Sequence, residues 1–148
     1  MSVPERNLVY LLATSPEIAL ATRGETWSSV QVNQASSDWH VDTNNTGYSY
    51  IVAFGDYSGG RLLTEDAALD LRNQVWRIDG SKRHASESYK GSRTSLVIFT
   101  HANVARLPAD DRAYLSLIGI PWRKELSNLC KPPALLEHGK LELSLIHI

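Results

Sequence analysis

The sequence predicts a mainly β domain with flanking helices, arranged as a double-stranded β-helix, the double-sheet jelly roll. Three observations carry that expectation. Between Trp27 and His101 the chain breaks into about seven short β-branched or aromatic segments. Gly-rich and Asn-rich turns separate them. Helix-period apolar patterns occur only outside this stretch. With 148 residues the chain suits one domain. We place that domain at residues 1–130, with the β core at 27–101 and a C-terminal helix at about 109–118; residues 131–148 form a tail.

In chain order, Leu8, Leu11 and Leu12 recur at helical spacing, and a short helix is expected to end near Thr14 at the Ser15-Pro16 turn. Arg23-Gly24-Glu25 reads as a loop. From Ser28 to Gln34 polar and apolar residues alternate, the pattern of a half-buried strand. The Asp38–Asp42 stretch follows, then a turn over Thr43–Gly47 and a strand over Tyr48–Phe54. Gly55–Gly60 reads as a turn, Arg61–Thr64 as a short strand, and Glu65–Arg72 as a loop or one helical turn. Gln74–Ile78 and His84–Tyr89 are expected strands, Lys90–Ser92 a turn, and Arg93–His101 the strongest strand of the chain. Pro108 then opens a helix with an acidic first turn, carrying Tyr114, Leu115 and Ile118 on one face and stopped at Gly119-Ile120-Pro121. Lys131-Pro132-Pro133 breaks structure, and the closing Leu143–Ile148 resembles translated sequencing-adapter read-through, so His138 and His147 carry no functional argument.

Composition narrows the function classes. A net charge of −1 leaves no basic surplus for a general nucleic-acid binder. The single cysteine, Cys130, excludes an intrachain disulfide and fits a reducing compartment. No apolar run is long enough to span a bilayer, and Met1–Arg6 lacks a signal-peptide pattern. An intracellular, cytoplasmic protein without a membrane partner is expected.

The chemistry-bearing residues centre on Trp39-His40-Val41-Asp42. In an extended strand His40 and Asp42 point to one side. Such a pair is common by chance: 5 histidines and 8 aspartates in 148 residues give roughly 0.27 random His-x-Asp pairs. Its company strengthens it. His84 follows 42 residues after Asp42, enough chain for three more strands to return beside the pair. Two histidines and a carboxylate occupy one face of an octahedral metal and leave the opposite positions open, the ligand set of non-haem Fe(II) sites. Taken alone, His84 also reads as a partly buried core histidine. Arg93 and Ser95 share one face of the strongest strand, where a guanidinium and a hydroxyl can hold a carboxylate. Trp39 either shields the pair or packs in the core.

The order His-x-Asp, distal His, Arg-x-Ser resembles the Fe(II)/2-oxoglutarate-dependent dioxygenases, over roughly Trp27 to His101. Ser58-Gly59-Gly60-Arg61-Leu62 is similar to the Gly-Gly-x-Leu turn and strand of the prolyl-4-hydroxylase-like branch, and Trp76–Gly80 is similar to that branch's approach to the distal histidine. The resemblance implies a cupin-like jelly roll in which His40, Asp42 and His84 bind Fe(II), while Arg93 and Ser95 bind the far carboxylate of the co-substrate 2-oxoglutarate. It also implies ascorbate as an accessory reductant, and O2 with an unidentified substrate as partners. Relatives use a Tyr or Asn on the first core strand to help hold 2-oxoglutarate; here Gln31 or Asn33 stands in that place, with Tyr48 and Tyr50 as other candidates. The expected activity is hydroxylation or oxidative demethylation. Asn44-Asn45 and the Gly-Asp-Tyr-Ser-Gly-Gly turn are also similar to the nucleobase-oxidising branch. Two alternatives stay open: a cupin-like metal protein, zinc included, without 2-oxoglutarate turnover, and a degenerate domain used only for binding. Neither needs Arg93-x-Ser95.

Overall fold

A computed structural model describes residues 2–122 and the backbone of a short strand at Ile146–His147. Most of the tail expected at 131–148, with the read-through reading and Cys130, lies outside the described residues.

The chain opens with helix α1, Val3–Thr14. Its start lies earlier than the leucine spacing indicates, because Ser2 and Glu5 form a reciprocal cap: the Ser2 amide donates to Glu5 Oε2 at 2.5 Å and the Glu5 amide to Ser2 Oγ at 3.4 Å. Ser15 is extended ahead of Pro16, which ends α1 as expected. Pro16 then occupies the first turn of a second helix, α2 (Pro16–Ala21), that the sequence reading took as a turn alone.

The expected β core is present and is finer-grained. Ten strands run between Ser29 and His101: β1 Ser29–Asn33, β2 Ser37–His40, β3 Asn45–Phe54, β4 Tyr57–Gly59, β5 Leu62–Thr64, β6 Ala68–Leu69, β7 Trp76–Ile78, β8 His84–Ser86, β9 Tyr89–Gly91 and β10 Thr94–His101. Four expectations are corrected. The turn over Thr43–Gly47 is cut short, because Asn45 and Thr46 already pair with His101 and Thr100. The Gly55–Gly60 turn contains β4, which pairs with β9. Gly55 takes φ +120° with its backbone against Ser92 O, where a Cβ would collide, so the two segments approach closely enough to pair. Glu65–Arg72 forms no helical turn but the short strand β6. The strand expected over His84–Tyr89 is broken at Glu87, whose amide donates to Arg61 O at 2.9 Å and whose carboxylate grips the Arg61 guanidinium.

The strands form two main sheets. One has the order β1-β10-β3-β7, with strand β11 (Ile146–His147) parallel to the outer edge of β1; the other has the order β2-β8-β5-β6. Successive strands of the core pass from one sheet to the other, and the main-sheet pairs other than β1 with β11 are antiparallel.

Side-chain alternation sorts the first sheet into two faces. Val30, Tyr50, Leu96 and Ile98 point outward and pack under Val9, Leu12 and Ile18 of the N-terminal helices and Leu115 of α3 (Ala109–Leu117). Ile51, Ala53, Ile78 and Val97 point the other way and meet Leu62 and Leu69 of the second sheet. Burying aliphatic side chains such as these contributes about 1.5–3 kcal/mol each. Register places Gln31, Val97 and Ile51 in one inward row and Asn33, Ser95 and Ala53 in the next. Those two rows floor the site. No helix among the described residues is long and apolar enough to cross a membrane.

Candidate metal centre

The second sheet brings the two histidines together. His40 on β2 and His84 on β8 are directly opposite in the antiparallel register, so their rings rise from the same face with centroids 4.4 Å apart. Asp42 lies two residues past His40, and its amide donates to Gly80 O at 2.8 Å, which draws the chain across the turn before β8. Asp42 Oδ1 then stands 3.6 Å from His40 Nε2 and 3.7 Å from His84 Nε2. The three ligand atoms lie within 4.8 Å of one another. Atoms bound to one ion at about 2.1 Å lie up to about 4.2 Å apart, so both carboxylate–imidazole separations suit a shared metal.

The imidazoles are oriented alike. His40 Nδ1 meets Asp38 O at 2.7 Å, and His84 Nδ1 meets Lys82 O at 2.8 Å, in each case the carbonyl two residues upstream. A carbonyl only accepts, so Nδ1 carries the proton and each Nε2 presents its lone pair to the centre. Fixing the tautomer through the remote nitrogen is how metal-bound histidines are held. Asp42 is held from behind. Its Oδ2 accepts from Asn45 Nδ2 at 3.0 Å, and the same nitrogen is 3.1 Å from Ser49 Oγ. A Cβ on Gly80 would come within 2.5 Å of Oδ2, so a glycine is required there. The turn carrying Gly80 is set by Asp79, whose Oδ1 accepts from the Ser81 hydroxyl at 2.6 Å and the Ser81 amide at 3.1 Å; these bonds hold the Asp79 carboxyl below its usual range.

The centre is open on one side. The His84 side chain is 8% exposed and that of His40 42%. A cavity of about 280 Å³ touches all three residues and is lined further by Gln31, Asn33 and Ser95. These three expected co-substrate residues thus share one cavity with the triad. Arg93 lies beyond that lining, two residues before Ser95 and 2% exposed. Its guanidinium carbon sits 5.7 Å from the Tyr57 ring centroid and 5.6 Å from that of Tyr89. Gly60 leaves room for it: a Cβ there would lie 2.9 Å from Arg93 Cδ. Arg93 Nε, Nη1 and Nη2 have no hydrogen-bond partner. A buried cation without a partner costs several kcal/mol, and the aromatic faces offset part of that.

Tyr48 does not join the group. It is 53% exposed on the outward face of β3, with the Arg77 guanidinium 4.5 Å above its ring. Tyr50 packs under the helices. Trp39 is exposed, with Arg83 at 5.7 Å, so it is not core. The sequence reading missed Asn45 and Gly80 as supports of Asp42, and Tyr57 and Tyr89 as walls around Arg93. The only signal for the first two was position, inside turns that flank a candidate ligand.

No protein-family model matches the chain, and no curated protein matches it. The class defined by the described residues is therefore structural: a mainly β protein with flanking helices and a His-Asp-His group able to hold a metal ion.

Proposed function

We propose that this chain is an Fe(II)- and 2-oxoglutarate-dependent oxygenase built on a jelly roll, hydroxylating or oxidatively demethylating a substrate. The observation that carries this reading is the partnerless, buried Arg93 guanidinium on the same strand as Ser95, beside a cavity that reaches His40, Asp42 and His84. A cation kept there calls for an anion, and a carboxylate matches the planar fork of a guanidinium. The strand order supports the architecture, since core strands alternate between a β1-β10-β3-β7 sheet and a β2-β8-β5-β6 sheet.

In this reading His40, Asp42 and His84 hold Fe(II) through Nε2, Oδ1 and Nε2. Bound Fe(II) with 2-oxoglutarate supplies O2 activation and oxidation of a substrate C–H bond, with release of succinate and CO2. Arg93 and Ser95 bind the far carboxylate, which fixes the reactive end at the triad. Ile51, Leu62, Ile78 and Val97 line the cavity between and limit water. Ascorbate would serve as reductant for idle turnover. A cupin-like metal protein would use the triad but gives no account of Arg93.

The nucleobase-oxidising reading of the same site is favoured by one feature. A cleft of about 390 Å³ that includes His84 is lined by Arg77, Lys82 and Arg83, cations suited to phosphates at the mouth of the site. Incubation with oligonucleotides bearing a methylated base separates the readings by product.

The test of the class is substrate-independent turnover. Iron-loaded protein with O2 is expected to convert 2-oxoglutarate to succinate slowly, and Arg93→Ala to stop this without loss of iron. Absence of succinate from folded, iron-loaded wild type contradicts the assignment.

A further inference from the structure

Tyr57 is the one other buried group in this region with an unspent polar atom. It is 5% exposed, and its Oη makes no hydrogen bond. The ring is fixed on several sides. Arg72 stacks on it with its guanidinium carbon 4.4 Å from the centroid and donates through Nη2 to Tyr57 O at 2.5 Å. Tyr89 meets it edge to face at 6.2 Å, and Arg93 stands 5.7 Å from its centroid. The neighbouring phenol of Tyr89 is already engaged, donating to Gln34 O at 2.5 Å. Ser95 is buried on the same strand as Arg93. Three donors, the Arg93 guanidinium, the Ser95 hydroxyl and the Tyr57 hydroxyl, thus belong to one corner of the β core, and two of them are unpartnered.

We propose that the Tyr57 hydroxyl donates to the same carboxylate that Arg93 holds, making Tyr57 a specificity-determining residue for 2-oxo acids bearing a second, distal carboxylate. The proposal rests on the oxygenase reading. A carboxylate offers about four acceptor positions. A bidentate guanidinium fills two, and Ser95 and Tyr57 supply donors for the others. A 2-oxo acid lacking the distal carboxylate would leave the guanidinium and this phenol unpaired, so discrimination against it is built into the pocket.

The test titrates anaerobic, Fe(II)-loaded wild type and Tyr57→Phe with 2-oxoglutarate and with 2-oxobutyrate, which lacks the distal carboxylate. Tyr57→Phe is expected to weaken 2-oxoglutarate about tenfold, the scale of one hydrogen bond to a charged group. It is expected to leave 2-oxobutyrate and Fe(II) binding unchanged, and not to lower the Tm of the ligand-free protein, because the hydroxyl has no partner to lose. Equal 2-oxoglutarate affinity in both proteins overturns the role of Tyr57. So does an equal loss for both oxo acids, or a lowered ligand-free Tm, each of which marks a merely structural hydroxyl. If wild type binds 2-oxobutyrate and 2-oxoglutarate equally, or neither, the oxygenase reading fails and this inference falls with it.

Discussion

Arg93 sets the energetics of the site at the scale of single residues. Its burial without a hydrogen bond is unfavourable for folding, and that cost is what a bound carboxylate would relieve. Arg93→Met is therefore expected to stabilise the ligand-free protein, by about 1–4 kcal/mol on the scale of buried-charge replacements, while removing 2-oxoglutarate binding. Urea unfolding with parallel ligand titration checks both halves. His40→Ala and Asp42→Ala are each expected to abolish Fe(II) binding in equilibrium dialysis; tight retention in both would show that the ion is held elsewhere. Gly80→Ala tests the support behind Asp42. Its new Cβ would press on Oδ2 and is expected to weaken iron about 10- to 100-fold, the range for second-layer disruption at metal sites, with the fold kept by circular dichroism. His40, Asp42, His84, Gln31, Asn33 and Ser95 were legible in the sequence because strand parity alone sends them to one face. Asn45, Gly80, Tyr57 and Tyr89 were not, because each acts across a turn or between segments far apart in sequence.

At the scale of elements, the junction between β5 and β8 shows what one ion pair adds to a broken strand. Arg61 Nε and Nη2 reach Glu87 at 2.9 and 2.5 Å where the expected His84–Tyr89 strand divides. Hydrogen bonding to Arg61 holds the Glu87 carboxyl below its usual range. A carboxyl depressed in the folded state contributes stability above its unfolded pKa of about 4.3 and loses it as pH falls through the lower folded value. The Tm gap between wild type and Glu87→Gln is accordingly expected to be open at pH 7 and to close in the acid range below about pH 4. A gap that persists unchanged to pH 2.5 would assign the effect to packing. The pair is solvent-screened, so the gap is small and shrinks with salt. Long elements such as β10 and α3 were legible from periodicity. The two- and three-residue strands β4, β6 and β9 were not, since such segments are defined by their partners rather than by any pattern of their own.

At the scale of the molecule, helices on one face and the second sheet on the other leave the first sheet with an apolar outer face and a partly polar inner one. That division was readable in the sequence as mainly β with flanking helices; the strand order was not, because which strands pair depends on contacts between distant segments. Binding of metal and co-substrate to the folded state alone should raise its stability, by about 2.7 kcal/mol for a ligand at a hundred times its Kd. The central claim, that this core holds iron and 2-oxoglutarate together, is tested most directly by visible absorption spectroscopy without O2. Fe(II) and 2-oxoglutarate added to the protein are predicted to give a metal-to-ligand charge-transfer band that is lost in Asp42→Ala. Folded wild type that gives no band would contradict the account.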